Sequence, residues 1–548
     1  MWKNFDVLLI NPENPPAGGR GTGPAFNSEN LALGYLSSSL QRHGARVLII
    51  DCDLDRLSAE ELADLAARDR PVLVGITALA RNSDDAIAIA QAIGRRVPGT
   101  AIVIGGLHFT YCYDQILARV PEVTYVIRGE GEASVAELYD FLKYGMGSEA
   151  DVGGLAYRNG NGEVTCATIK PAIHDLDTVP YPDRQVLERA LERGVQPSIP
   201  LLSSRGCYAR CLFCNASQFY VEGGGRPWRH RSAANVVDEL EVLLDKYGDG
   251  TDPVILFYDD TFIGPGNVGR RHAKAVAQEI LLRGVQTQFE TFLRADTFHD
   301  EDELIALLRK AGMVRTFVGI EAGDDQELKL FRKAVSVKQV REALANLKRN
   351  RVTTPASGFI MFFPYSTFPM LRRNADYLRS LGHASIWNLS TRLDVYGGNE
   401  FIPLLEKDGL ITGSQLYGGY YSYRFRDGRI ADFADYMNIS QHDVVQLLDT
   451  SGRFIEFNYY NFVYEMEQVE GRRMSSDDDE VPRVLDRMQN RGYDFFMDSL
   501  DRFESGDVGR DLDRLKDTFF NDMTALNERL EDAYGRFLKR VEGRLCYA

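Results

Sequence analysis

The chain has 548 residues, of which 44% are hydrophobic and 26% charged, and its formal net charge is −16. This length exceeds a single hydrophobic core and predicts about two to four domains. The acidic balance argues against a partner that is duplex nucleic acid, although a local basic patch would be compatible with it. No run reaches the ~18 uninterrupted apolar residues of a membrane span, and the start lacks the long apolar region of a signal peptide.

The first 145 residues alternate short apolar, β-branched runs with amphipathic stretches. The runs are DVLLINP (6–12), ARVLIIDCD (45–53), PVLVGIT (71–77), TAIVIGG (100–106) and VTYVIRG (123–129). Strands that alternate with helices predict a doubly wound, Rossmann-like parallel sheet in an α/β domain over 1–145. Ligands of such sheets bind beyond the carboxyl ends of the strands.

Residues 146–195 are predicted to form a linker, because Pro180 and Pro182 make its second half extended. A second alternation covers 196–400 and contains six candidate strands. These are SIPLLSS (198–204), PVILFYDD (253–260), TQFETFLRAD (287–296), VRTFVGIEAG (314–323), PASGFIMFF (355–363) and ASIWNLSTR (384–392). Six such units predict a partial (β/α)6 barrel of the TIM type, with its reactive groups at the carboxyl ends of the strands.

Residues 401–548 begin with aromatic-rich segments and continue with helical patterns. They predict a mainly helical carboxy-terminal domain that lines the substrate site or mediates assembly. Its tyrosines either line a pocket or form the aromatic core of a small helical domain, and the core is the favoured interpretation.

The segment RGCYARCLFC (205–214) places Cys207, Cys211 and Cys214 directly after the first strand of the predicted barrel. Structural zinc sites and fully ligated [4Fe–4S] clusters use four protein ligands, so three thiolates leave one metal position open. His230 could supply a fourth ligand to zinc, but its spacing matches no common zinc pattern. The other four cysteines are scattered, which does not fit a disulfide framework and predicts a reduced, cytoplasmic protein.

The three cysteines, with Phe213 before the last of them, resemble the signature of radical S-adenosylmethionine (SAM) enzymes. The resemblance implies that Cys207, Cys211 and Cys214 hold a [4Fe–4S] cluster whose fourth iron chelates the amino and carboxylate groups of SAM. It also implies an external electron donor of the flavodoxin or ferredoxin type, which drives formation of a 5′-deoxyadenosyl radical. Phe213 is expected to pack near the adenine.

Further motifs at the predicted strand ends extend this resemblance. Asp259 and Asp260 match the position that approaches the amino group of methionine, and Arg294 matches a partner of its carboxylate. Glu321 matches a ribose acceptor, and Ser357 begins a small-residue strand that passes the adenine. Each residue also has a structural interpretation, as a helix N-cap or a member of an ion pair.

The amino-terminal domain resembles the cobalamin-binding subgroup of these enzymes through its loops NPENPP, GGLHFT and RGEGE. The cobalamin contacts that this resemblance implies are Asn11, Thr77, Gly105, Gly106, His108, Gly129, Glu130 and Gly131. None of the eight histidines has an Asp two residues before it, so the chain lacks the Asp-x-His-x-x-Gly motif of many cobalamin domains. Either cobalamin binds without a protein histidine, or the domain survives as a scaffold. His108 is not assigned as a ligand of cobalt.

The resemblance predicts a cobalamin-dependent radical SAM methyltransferase that acts on an unactivated carbon of a small-molecule natural-product intermediate. The alternative is a dehydratase, epimerase or ring-forming oxidase with a scaffold domain of the cobalamin type. A methylthiotransferase is disfavoured, because it needs three more cysteines in the first domain and only Cys52 and Cys112 are present. A non-enzymatic zinc module would leave the ordered strand-end motifs unexplained. No membrane partner is expected.

Overall fold

The computed structural model describes residues 3–14, 27–222, 224–248, 254–354, 357–414, 419–438, 443–470, 480–509 and 511–545. The chain divides into two compact units. The amino-terminal unit comprises Met1–Pro265, Asp394–Leu404 and Ile411–Ser422. The carboxy-terminal unit comprises Gly266–Leu393, Leu405–Leu410 and Tyr423–Ala548. The predicted domain boundaries at 145, 195 and 400 stay predictions.

Seven strands of the amino-terminal unit form one sheet in the order β2-β1-β3-β4-β5-β6-β7. Their bounds are β1 Val7–Asn11, β2 Val47–Asp51, β3 Leu73–Thr77, β4 Ala101–Gly105, β5 Tyr125–Ile127, β6 Leu155–Arg158 and β7 Val164–Cys166. Strands β1 to β5 are parallel, which confirms the five predicted strands and the parallel sheet. Strands β6 and β7 are antiparallel. The segment predicted as a linker therefore extends the sheet.

The pleat of β1 explains why helices cover both faces of this sheet. Successive residues of β1 alternate between two separate cores: Leu8 and Ile10 pack in one, Val7 and Leu9 in the other. Because side chains alternate across a strand, a fully apolar strand needs a covering layer on each face. The helices that provide it are α1 Leu31–Arg42, α2 Cys52–Asp55, α3 Ala59–Asp69, α4 Ser83–Arg96, α5 Leu107–Thr110, α6 Tyr113–Arg119, α7 Glu132–Tyr144 and α8 Gln185–Glu192.

The rest of the amino-terminal unit carries the cysteine segment. Strand β8 (Ile199–Leu201) pairs in parallel with β11 (Val254–Phe257), and β9 (Ser204–Gly206) pairs antiparallel with β10 (Trp228–His230). Helix α9 follows the cysteines and α10 follows β10, with bounds Ala216–Val221 and Ala233–Tyr247.

The carboxy-terminal unit contains three parallel strands, β12 Gln288–Arg294, β13 Met313–Glu321 and β14 Ser357–Phe359. Its helices before residue 400 are α11 Gly266–Arg283, α12 Asp302–Lys310, α13 Asp325–Leu330, α14 Val337–Arg349, α15 Phe368–Leu381 and α16 Ile386–Ser390. Three short elements follow in the chain, α17 Ile402–Lys407, β15 Ile411–Ser414 and β16 Tyr421–Tyr423, and of these β15 lies wholly in the amino-terminal unit.

The predicted sixth strand, 384–392, is wrong for most of its length because a short helix, α16, occupies it. The Ser385 side chain accepts a hydrogen bond from Asn388 N–H and caps this helix. Asn388 Nδ2 in turn donates to the His383 carbonyl and to Ser357 Oγ. Only an isolated parallel bridge between Phe362 and Arg392 remains of a sixth strand in the described residues. Local capping thus overrides the apolar pattern.

The carboxy-terminal region is mainly helical, with α18 Gly428–Tyr436, α19 Asp443–Glu470, α20 Glu480–Ser505 and α21 Asp511–Leu545. Its aromatic residues form a core: Tyr459 is fully buried with its ring 4.8 Å from that of Phe537, and Phe495 stacks on Phe519. Tyr417, one of the tyrosines for which a pocket or a core role is predicted, lies outside the described residues. Across the described ranges, no helix combines the length and the apolar character that crossing a membrane would require.

A buried ion-pair network joins the predicted linker to helix α10. Arg184 donates to Glu29 at 2.6 Å and to Glu239 at 2.8 Å, and Arg231 pairs with Glu239 at 2.5 Å. All four side chains are less than one-tenth exposed. Removing one partner of such a network leaves a buried charge uncompensated.

We expect Arg184→Ala to lower the free energy of unfolding by about 3–5 kcal/mol, because Glu29 and Glu239 would lose a buried cation. Lys246→Ala is the matched control, since Lys246 pairs with Glu188 on the surface and should cost about 1 kcal/mol or less. Denaturant-induced unfolding of both apoproteins measures the difference. Equal costs would contradict a stabilising role of the network.

Candidate functional site: the cysteine loop and the adjoining cavity

The three cysteines lie on the loop between β9 and α9. Cys211 is buried, and Cys207 and Cys214 are partly exposed. The loop is locally turned, because Cys214 N–H donates to the Cys211 carbonyl at 3.1 Å. Burial is the main cause that raises the pKa of the Cys214 thiol to about 12, and the nearby Cys211, Asp260 and Cys207 groups act in the same direction. A thiolate at this position therefore needs a cationic centre beside it, which iron would provide.

The donor arrangement suits a cluster better than a single ion. Among the described residues, no three His, Cys, Asp or Glu side chains are grouped around one metal-ion position. His230, the alternative zinc ligand, is exposed on β10, and its Nδ1 lies 2.9 Å from the Arg231 carbonyl oxygen. A [4Fe–4S] cluster bonds each thiolate to a different iron, so its ligands need not converge on one point. Three thiol side chains on one short loop are the donor type that such clusters use.

Asp259 and Asp260 follow β11 but differ in what they contact. Asp259 is buried and accepts hydrogen bonds from Ser203 N–H, Ser203 Oγ–H and Ser204 N–H at 2.9, 2.8 and 2.6 Å. Burial raises its pKa to about 7, and these hydrogen bonds oppose the rise. The side chain of Asp260 is exposed by its accessible area, although burial of the carboxyl group raises its pKa, and its Oδ2 accepts from Gly206 N–H at 3.0 Å. The structure favours Asp260 as the residue that can contact a ligand.

The other predicted SAM residues belong to the carboxy-terminal unit. Arg294, at the end of β12, is buried and pairs with Asp296 at 3.1 Å. Ser357 is buried and accepts from Asn388 Nδ2 at 3.0 Å. The ion pair of Arg294 matches its structural interpretation, and the roles of both residues toward SAM stay predictions.

Glu321 ends β13 with a left-handed backbone, φ +69°, which is uncommon for a residue with a side chain. Its Oε1 accepts from Lys333 Nζ at 2.7 Å, and both side chains are buried. Sequence reasoning missed Lys333, because a single lysine twelve positions after Glu321 carries no recognisable pattern. Glu321 is thus held in place by a cation, and its role as a ribose acceptor stays a prediction.

A cavity of about 200 Å³ lies at the carboxyl ends of β1, β3, β4 and β5. Its lining includes six predicted cobalamin residues, Thr77, Gly105, Gly106, Gly129, Glu130 and Gly131. Apolar residues of α1 and α7, among them Leu33 and Val135, form another wall. Leu202, Arg205, Phe219 and Tyr220 complete the lining, and they lie on either side of the cysteine loop in sequence.

Glycines keep this cavity open. A Cβ on Gly75 would come within 2.7 Å of Leu9 Cδ2. Gly106 has a φ of +102°, and a Cβ there would lie 2.9 Å from Thr77 Oγ1. Only glycine satisfies both constraints at low cost. The cavity is largely apolar, and its volume is smaller than that of typical sites that hold a whole ligand. At about 200 Å³ it would hold only a part of cobalamin, and its role as the cobalamin site stays a prediction.

The structure does not bring Asn11 or His108 to the cavity lining. Asn11 donates to Asp51 Oδ2 at 3.0 Å at the end of β1. His108 is buried in α5, with Nε2 3.7 Å from Cys112 Sγ. Burial lowers the pKa of His108 to about 4, so it is neutral at pH 7. These two predicted cobalamin contacts are part of the packing of the domain.

Glu130, predicted as a cobalamin contact, is the centre of a buried ion-pair cluster. Arg229 donates to its two oxygens at 2.9 and 3.0 Å, and Arg205 donates at 3.1 Å. Arg205 also pairs with Glu132 at 2.7 Å. Burial alone would raise the pKa of Glu130, but Arg205 and Arg229 hold it below its usual value. The sequence contained a signal for this group of ion pairs, because Arg205 is the first residue of the segment RGCYARCLFC and Glu130 lies in the segment RGEGE.

Comparison with known proteins agrees with this geometry. The B12 binding domain model matches residues 23–139, and the radical SAM superfamily model matches residues 201–378. The solved structure of the cobalamin-dependent SAM radical enzyme OxsB, with aqua-cobalamin and SAM bound, has a TM-score of 0.70 at 18% identity. The match covers 95% of this chain and 84% of OxsB, and it shows a shared fold.

Two curated relatives match much of the chain. An uncharacterized methyltransferase of Pyrococcus horikoshii, PH0819, is 28% identical over 69% of this chain and 79% of its own length. An anaerobic magnesium-protoporphyrin IX monomethyl ester cyclase of Rubrivivax gelatinosus is 27% identical over 64% of this chain and 61% of its own length. The relatives therefore differ in the reaction that their names describe.

We expect Gly105→Leu to weaken cobalamin binding by about tenfold or more, because the new side chain would fill the cavity. A Cβ at Gly105 meets no heavy atom closer than 3.5 Å, so the backbone should tolerate it. Gly160→Leu is the control, since a Cβ there meets nothing within 4 Å. Titration with hydroxocobalamin, followed by visible absorbance, measures both. Unchanged affinity in Gly105→Leu would contradict the placement of cobalamin.

The matched models, the two-faced parallel sheet and the three-cysteine loop describe one architecture. Its cofactors are a [4Fe–4S] cluster, SAM and cobalamin. Residues 23–139 of the chain therefore form a B12 binding domain, and residues 201–378 form a domain of the radical SAM superfamily.

Proposed function

We propose that the chain is a cobalamin-dependent radical SAM methyltransferase that methylates an unactivated carbon of a small-molecule natural-product intermediate. The strongest support is that the cysteine loop and the strand-end cavity lie next to each other. Arg205 lies two residues before Cys207, Phe219 lies five residues after Cys214, and both line the strand-end cavity. One compact unit thus holds the loop for the cluster beside the cavity for cobalamin.

When bound, the cluster with SAM supplies hydrogen-atom abstraction, and cobalamin supplies the methyl group. The chain positions these reagents and excludes water. Cys207, Cys211 and Cys214 hold the cluster, and the exposed carboxylate of Asp260 can orient the ammonium group of SAM. The ion pairs of Glu130 fix the antiparallel strands β9 and β10, and the cysteine loop is part of the connection between these strands.

The name of the Pyrococcus horikoshii relative supports methyl transfer. The name of the Rubrivivax gelatinosus relative favours a second candidate, a ring-forming radical reaction without methyl transfer. The acidic chain without basic runs favours a small molecule as substrate over a nucleic acid. A small iron–sulfur or flavin protein is the proposed electron donor.

The deciding experiment is anaerobic purification and reconstitution, with iron, sulfide and cobalt counted on one sample. We expect about four irons and about one cobalt per chain. Cys207→Ala, Cys211→Ala and Cys214→Ala should lose the iron and all cleavage of SAM. Cys166→Ala should keep both, since Cys166 lies on β7 at the far edge of the first sheet.

The loaded protein is then incubated with a reductant, methyl-deuterated SAM and small-molecule extracts. A product that gains the labelled methyl group, together with S-adenosylhomocysteine and 5′-deoxyadenosine, supports the methyltransferase. A product without the label supports the ring-forming candidate. Iron without cobalt would make the first domain a scaffold and contradict methyl transfer.

We expect Asp260→Asn to weaken SAM binding to the reconstituted protein by about tenfold, because a charge-assisted hydrogen bond to ammonium is lost. The amide oxygen can still accept from Gly206 N–H, so folding should be preserved. Asp259→Asn should instead lower the thermal unfolding temperature, because one oxygen that accepts from Ser203 or Ser204 becomes a donor. Isothermal titration and differential scanning calorimetry separate the two effects. If Asp259→Asn alone weakened binding in a stably folded protein, the assignment to Asp260 would be wrong.

A further inference from the structure

The last cysteine of the loop lies between two residues that are both tied to a distant segment of the same unit. Asn215, directly after Cys214, is buried and donates through Nδ2 to the Gly397 carbonyl at 2.9 Å. Asn399, also buried, donates through Nδ2 to the carbonyl of Phe213, directly before Cys214, at 2.7 Å. Each segment therefore gives one asparagine amide to a backbone carbonyl of the other.

Three further observations show how the segment 397–400 is held in place. Asn399 Oδ1 accepts from Phe401 N–H at 2.8 Å, so both ends of this amide are engaged. Gln218 Nε2 donates to Glu400 Oε1 at 2.6 Å. Gly398 has a φ of +78°, and a Cβ on it would lie 2.6 Å from the Tyr111 ring. Only glycine suits that position, for conformational and for steric reasons.

Tyr111 connects this arrangement to the B12 binding domain. It follows helix α5, and its hydroxyl donates to the Asn215 carbonyl at 3.4 Å while its ring covers Gly398. Burial raises the pKa of Tyr111, and nearby Glu222 and Cys214 raise it further, so its hydroxyl stays protonated as a donor.

We propose that Asn399, Asn215 and Gly398 form a clasp that sets the position of Cys214, with Asn399 as its principal positioning residue. The three residues are two asparagines and a glycine, so the clasp does not serve to bury apolar side chains. Its specific effect is to fix the backbone on both sides of one cluster ligand, so that the thiolate meets its iron without a search through loop conformations. The proposal concerns the cluster and does not depend on whether a methyl group is transferred.

The test compares Asn399→Asp and Asn399→Ala with the wild type after anaerobic reconstitution. In Asn399→Asp the side chain can still accept from Phe401 N–H. Its second oxygen replaces the amide that donated to the Phe213 carbonyl, so two acceptors face each other. We expect iron to be lost to a chelator about tenfold faster in both variants, and the aspartate to be the more affected. The electron paramagnetic resonance signal of the reduced cluster should also broaden or shift, because the Cys214 ligand is less ordered.

Asn346→Asp is the matched control. Asn346 is another buried asparagine whose Nδ2 donates to two backbone carbonyls, those of Phe298 and His299, in the carboxy-terminal unit. It should lower thermal stability without changing the cluster signal or the rate of iron loss. If it accelerated iron loss as much as Asn399→Asp does, the effect would be general destabilisation and the clasp would be refuted.

A milder variant keeps the test decisive if Asn399→Asp fails to fold. Gln218→Glu, at a partly exposed position, would place two carboxylates together and strain the same segment. Its faster iron loss should be suppressed by high salt, which screens the repulsion. Iron loss and a cluster signal equal to those of the wild type in the folded variants would overturn the proposal. Failure of the methyltransferase assignment would leave these readouts unchanged.

Discussion

The buried ion pairs around Glu130 are the interaction on which the rest of the site depends. Glu130 and Glu132 lie in the segment RGEGE after β5, and Arg205 and Arg229 lie on the paired strands β9 and β10. Each of these four side chains is about one-tenth exposed or less. Breaking one pair would leave a charge in a poorly solvated place, which costs more than an intact pair contributes. These ion pairs therefore connect strands β9 and β10 to the segment RGEGE, and losing one partner would cost more stability than the intact network adds.

Aromatic rings shield this ion-pair cluster from water and connect it to the cavity. The guanidinium of Arg205 lies 4.8 Å from the ring centre of Tyr35, and that of Arg229 lies 5.4 Å from Tyr220. Stacked arginines keep their charge while covering apolar surface. Three of the four ion-paired side chains, Glu130, Glu132 and Arg205, also line the cavity proposed for cobalamin.

The sequence predicts features of the fold well where residues close together in the chain form a recognisable pattern. The cysteine spacing, the five parallel strands and the glycine-rich strand ends were all predicted from local patterns, because alternation and glycine placement follow directly from backbone sterics. It located individual contacts poorly. Asp259 and Asp260 are adjacent and identical in type, yet one is consumed by the turn at Ser203 and the other is exposed.

The sequence by itself determined the order of the two domains, the grouping of three cysteines on one loop and the glycines at the strand ends, since each depends on residues close together in the chain. Only the tertiary structure decided which charges meet and what holds the loop. The pairs Glu130–Arg205 and Asn399–Phe213 join residues that are 75 and 186 positions apart. A buried charge or amide is satisfied by whichever partner the fold brings near it, and single-sequence patterns do not record that partner.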